Sequence, residues 1–191
     1  TNPLLGVGEL LVIKRSVRSP HLGLPQNWQS NCVLPRSGFN DEIARLSPRA
    51  PAAALKTVHK PEQTSFVGDV DLDFDGRRML FSSIGTHNRW QIFEINTDGT
   101  GLRQVTPGRY KDVDNYDACY LPDGRLVFSS TRPFASVPCV NGSTRVANLF
   151  IMDHDGTNTR QLCFDQEHNW CPTVMQDGRI LYTRWEYTDA P

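Results

Sequence analysis

Short apolar runs closed by turn dipeptides recur along this chain. Three segments share one pattern: Asp75-Gly76-Arg77-Arg78-Met79-Leu80-Phe81-Ser82-Ser83, Asp123-Gly124-Arg125-Leu126-Val127-Phe128-Ser129-Ser130 and Asp177-Gly178-Arg179-Ile180-Leu181-Tyr182-Thr183. The unit returns after 48 and then 54 residues. A second pattern is interleaved with it. Gln91-Ile92-Phe93-Glu94-Ile95, followed by Asp98-Gly99-Thr100, returns as Asn148-Leu149-Phe150-Ile151-Met152, followed by Asp155-Gly156-Thr157.

Each Asp-Gly supplies the positive φ of a tight hairpin turn, and the flanking runs are short and rich in β-branched and aromatic residues. Two hairpins per unit of about fifty residues is the size of one four-stranded propeller blade. The runs are apolar at successive positions, as expected of strands covered on both faces by neighbouring blades. The pattern therefore predicts an all-β chain: an incomplete β-propeller of four-stranded antiparallel blades, about three of them plus the start of a fourth. The predicted blades span approximately 10–60, 67–107, 116–164 and 170–191. In the first, Leu10 to Arg15, Glu42 to Leu46 and Leu55 to His59 read as strands, with the first strand missing or contributed from elsewhere.

Up-and-down connectivity puts every Asp-Gly turn on one face of the stack and the long connections on the other. The long connections include 16–40, 107–116, 132–145 and 164–170. Loops of that length in a compact domain are commonly functional, or they shield blade edges. Trp28 lies in the first of them as a ligand platform or as a plug that packs the loop down.

Counting back from the turn Asp places Asp69, Asp117 and Cys171 at one equivalent position, where the innermost strand begins. Phe66, Asp114 and His168 share another, three residues earlier. The segments leading to these positions also hold Asp112, Asp165 and Glu167, so the predicted channel mouth is acidic and contains one His-x-x-Cys pair. Imidazole, thiolate and carboxylate are the natural ligands of zinc, and His168, Cys171 and Asp117 form the candidate set. The competing reading is a hydrogen-bonded His beside a buried thiol, with the acidic residues serving strand-start turns.

Composition adds exclusions. A formal net charge of −1 over 191 residues, with no basic stripe, argues against nucleic acid as a partner. No apolar run is long enough to span a bilayer, and no signal peptide is legible. The five cysteines never take the C-x-x-C or C-x-x-C-H spacing, which leaves buried thiols or one or two bridges. No nucleophile elbow, phosphate loop or glycosidase pair is present, so no catalytic residue and no cofactor site is assigned within the chain. Asn141-Gly142-Ser143 matches a glycosylation acceptor.

Tyr120-Leu121-Pro122-Asp123-Gly124-Arg125 and the stretch Phe93 to Thr106 resemble the TolB-type propeller repeat. A narrower likeness rests on Gly23-Leu24-Pro25-Gln26-Asn27-Trp28, Phe66-Val67-Gly68-Asp69-Val70-Asp71, Asp114-Asn115-Tyr116-Asp117-Ala118-Cys119-Tyr120, Val137 to Ser143 and Arg184 to Asp189. These are similar to the propeller region of proteins resembling the hydrazine synthase alpha subunit. The resemblance implies a periplasmic or otherwise extracytoplasmic setting and a parent that carries haem c. The leading reading of the chain is a noncatalytic module that positions or docks a neighbouring domain or subunit. The alternative is the propeller of a metal-dependent enzyme, of sugar-acid lyase or hydrolase type, with its site at the channel mouth.

Overall fold

The computed structural model describes residues 8–22, 33–48, 55–136 and 144–185. Trp28, Cys32, Cys139 and the Asn141 acceptor lie outside them.

Thirteen strands fall into four antiparallel sheets among the described residues. The first contains β1 (Leu10–Lys14), β2 (Glu42–Leu46) and β3 (Lys56–His59) in that order. The second runs β4 (Gly68–Leu72), β5 (Arg78–Ile84), β6 (Trp90–Asn96), β7 (Arg103–Gln104). The third repeats it as β8 (Asn115–Tyr120), β9 (Leu126–Ser130), β10 (Asn148–Met152), β11 (Arg160–Gln161). A two-stranded sheet, β12 (Asn169–Val174) with β13 (Ile180–Arg184), completes the series. The last innermost strand starts two residues before Cys171, because Asn169 and Trp170 already pair with Arg184 and Thr183.

The core lies between the sheets. Leu80 and Ile92 of the second pack on Ala118, Tyr120, Leu126 and Phe128 of the third. Ile43 of the first meets Met79, Phe81 and Ile95 of the second, and Val127, Leu149 and Ile151 of the third meet Val174 and Ile180 of the fourth. All five residues of β9 and all five of β10 are buried, which is the physical reason their sequences do not alternate. Across the top, Phe66 stands edge-on to both Phe39 and Trp90, with ring centroids 5.1 Å apart in each pair. The Arg15 guanidinium lies 4.9 Å from the centre of the Phe66 ring.

Contacts between turns and between loops show how the connections are sorted. The Thr97 hydroxyl donates to the Gly76 carbonyl at 3.1 Å, and Arg78 reaches His154, beside the Asp155 turn, at 3.0 Å. At the other end of the strands Arg36 pairs with Asp114 at 3.3 Å, Arg132 donates to the Tyr110 hydroxyl at 3.0 Å, and the Asp165 amide donates to Asn148 at 3.1 Å.

Candidate functional site

Each innermost strand carries the same defect. Pairing slips between Gly68 and Asp71 in β4, between Tyr116 and Cys119 in β8, and between Trp170 and Thr173 in β12. Within these bulges Asp69, Asp117 and Cys171 take φ of 53°, 55° and 54°. A non-glycine residue in the left-handed region costs about 1 kcal/mol, and a bulge re-aims the side chain it carries. Three successive sheets therefore turn one polar side chain each toward a common place. The Cys171 thiol hydrogen-bonds the Asp117 carboxyl, and Asp69 and Asp71 lie close enough to act on it electrostatically.

Burial, with repulsion from Asp69 added, raises Asp117 to about 7, and the hydrogen bond from Cys171 offsets only part of this. Burial and the Asp117 charge push the Cys171 thiol far up, so it is a protonated donor at neutral pH. The Asp117 amide donates to Ser82 Oγ at 2.8 Å, and Asp71 Oδ2 accepts the Tyr120 amide at 2.9 Å, which tie the second and third sheets together beside the bulge.

His168 does not join this group. Its ring is fully buried, edge-on to Trp170 at 4.8 Å and stacked on Trp185 at 5.8 Å. Its Nδ1 accepts the Ala147 amide at 3.1 Å, and burial lowers it to about 4, so it is neutral. Asp114, at the equivalent place one sheet earlier, accepts the Trp90 amide at 3.0 Å and is held by Arg36 and Arg89. Trp90 and Ala147 each stand eight residues before their turn Asp. The Asp114 and His168 position is thus a latch that satisfies one backbone N–H of the preceding sheet. Of the candidate zinc set, His168 spends its acceptor nitrogen on Ala147, while Cys171 and Asp117 bond each other. Among the described residues no group of three or more His, Cys, Asp or Glu side chains is placed to hold a metal ion.

The remaining acidic candidates are dispersed. Asp112 is half-exposed and pairs with Arg145 at 3.6 Å. Asp165 accepts from Asn169 at 2.8 Å and pairs with Arg184 at 3.2 Å. The Glu167 carbonyl accepts from Asn148 at 3.4 Å. Cys119, Cys163 and Cys171 are free thiols.

Two clusters escape a sequence reading because their members are far apart in the chain. On the Asp-Gly side the buried Glu94 accepts from the Tyr120 hydroxyl at 2.8 Å, Arg103 Nε at 2.9 Å and His154 Nε2 at 2.5 Å. Burial opposes its charge, yet these three donors hold Glu94 below the ordinary carboxylate range. On the opposite side Tyr110 meets Arg132, and Phe134 meets Arg145.

Sheets of four antiparallel strands, stacked face to face with their innermost strands converging, define a β-propeller. No family model and no curated protein matches the chain. Among solved structures it is similar to TolB from Acinetobacter baumannii (TM-score 0.56, 18% identity, covering 76% of this chain and 32% of that one). It is also similar to Kuenenia stuttgartiensis hydrazine synthase (0.66, 16%, 92% and 28%). An oligogalacturonate lyase in complex with manganese gives 0.56, 17%, 90% and 42%. The fold is TolB-like, and the chain spans less than half the length of each of these proteins.

Proposed function

We propose that the chain is a noncatalytic propeller module that packs against a neighbouring domain or subunit of an extracytoplasmic protein of the hydrazine-synthase-alpha-like kind. One observation carries this reading. The second strand of each sheet occupies an equivalent place, and β5 and β9 are almost wholly buried there, whereas four of the five residues of β13 are exposed. Leu181 is exposed on this flank, with Met175 and Phe164 also exposed, whereas Tyr182 points to the other face and hydrogen-bonds Cys163. A flank of this kind is the surface a propeller covers with its next neighbour, and exposed contiguous apolar surface marks an interaction site.

The likeness to TolB and to hydrazine synthase supports the extracytoplasmic setting. Light scattering tests the reading: wild type associates reversibly as concentration rises, and Leu181→Glu abolishes this without lowering Tm. A wild type that stays monomeric and binds no hydrophobic dye contradicts it.

A further inference from the structure

The long-connection side carries a surface that the flank of β13 does not explain. The segment 107–112, between the second and third sheets, lies against the connection that follows β9. Arg132 donates to the Tyr110 hydroxyl at 3.0 Å and its guanidinium sits 4.8 Å from the centre of that ring. Arg145 stands 6.0 Å from the Phe134 ring, pairs with Asp112 and donates to the Asp112 carbonyl. Arg89 braces the same segment by donating to the Lys111 carbonyl at 3.0 Å. Two aromatic rings are thereby held outward, Tyr110 at 41% and Phe134 at 55% exposure.

Phe134 is held there at a cost. Its φ is 57°, a region in which a bulky aromatic is a genuine outlier, and such strain persists where the surroundings over-determine it and clusters at functional positions. The charge around it is one-sided. Arg109, Lys111 and Arg132 make no ion pair among the described residues, and Arg145 pairs with Asp112. Arginine and aromatic side chains are the types enriched at interface hot spots, and a cationic patch selects a partner of opposite sign.

We propose that Arg109, Tyr110, Lys111, Arg132, Phe134 and Arg145 form a docking surface for an acidic polypeptide segment with apolar side chains between its carboxylates. This rests on the reading of the chain as a docking module and names the chemistry of one partner. Three cations without an ion pair among the described residues, beside the Arg145–Asp112 pair, fit a short acidic segment better than a nucleic acid, whose binding scales with the number of phosphates neutralised.

The probe is a fluorescein-labelled Glu/Leu peptide, measured by anisotropy at low salt. Two further probes accompany it: the same peptide with Gln for Glu, and labelled oligothymidine. Wild type binds the acidic peptide, and added salt weakens the binding. Arg132→Glu and Phe134→Asn each weaken it by about tenfold or more. Asn tolerates left-handed backbone, so Phe134→Asn keeps or raises Tm, which separates lost docking from lost folding. Leu181→Glu leaves peptide binding intact, so a failure here is distinguishable from a failure of the β13 flank. The proposal is overturned if wild type does not bind, if the Gln peptide or oligothymidine binds as tightly, or if Phe134→Asn binds like wild type.

Discussion

Replacing Asp117 by Asn should stabilise the protein more at pH 8 than at pH 5. Asp117 has its pKa raised from 3.8 to about 7 in the folded chain by burial and by Asp69. A carboxyl whose folded pKa lies above its unfolded value stabilises the fold fully while it is protonated in both states, below about pH 4. That stability is lost as pH rises through about 7, where the folded state must hold a charge it solvates poorly. A displacement of that size corresponds to ~4 kcal/mol at about 1.4 kcal/mol per pH unit. Asp117 keeps some surface exposure, so the effective figure is nearer ~2–3 kcal/mol. Asn preserves the shape, the tolerance for left-handed backbone and a hydrogen bond toward Cys171, and it carries no charge. The assay is urea unfolding of both proteins from pH 4.5 to 8.5, read as the difference between them so that all other carboxylates cancel. The difference should grow by ~2–3 kcal/mol over that range. A difference that is flat with pH would mean that Asp69, Asp117 and Cys171 do not converge as described.

Other outcomes follow from the same geometry. His168, lowered to about 4 by burial, contributes stability above the ordinary imidazole range that is lost as pH falls from about 6.5 toward 4, and His168→Gln should flatten an acid-side decline visible by circular dichroism. Glu94→Ala leaves Arg103, Tyr120 and His154 without their acceptor and should cost about 2–4 kcal/mol in urea unfolding, more than Glu94→Gln. Gly124→Ala, with φ 86° and open space at the added methyl, should cost about 1 kcal/mol, whereas Gly99→Ala, whose methyl would sit 2.6 Å from the Val58 carbonyl oxygen, should cost about 2–3. Equal effects at the two glycines would contradict the close approach of the second sheet's turn to β3.

Much of the fold was legible because hairpin turns have local chemistry. Asp-Gly at 76, 99, 124, 156 and 178 puts glycine at positive φ at each, and the strands between follow. The shared place of Asp69, Asp117 and Cys171 was also legible, since counting from the turn Asp is a register argument and the three φ values agree within 2°. What each side chain does there was not. His168 and Cys171 lie three residues apart in sequence, but Cys171 sits inside the bulge and His168 before it, and their side chains find different partners. Nothing local shows that His168 accepts an amide from the preceding sheet, because that amide belongs to Ala147. The Tyr110 and Arg132 pair and the Glu94 and His154 pair are separated by 22 and 60 residues, and only stacking of the sheets brings them together.

The central claim is that the face buried on β9 lies bare on β13 and awaits a neighbour. Hydrogen exchange read by mass spectrometry tests it most directly, comparing segments 126–130 and 180–184 in dilute and concentrated protein. Segment 126–130 should exchange slowly in both samples, while 180–184 should exchange rapidly when dilute and slow down as the chains associate. Equal and strong protection of both segments in dilute monomer would contradict the account.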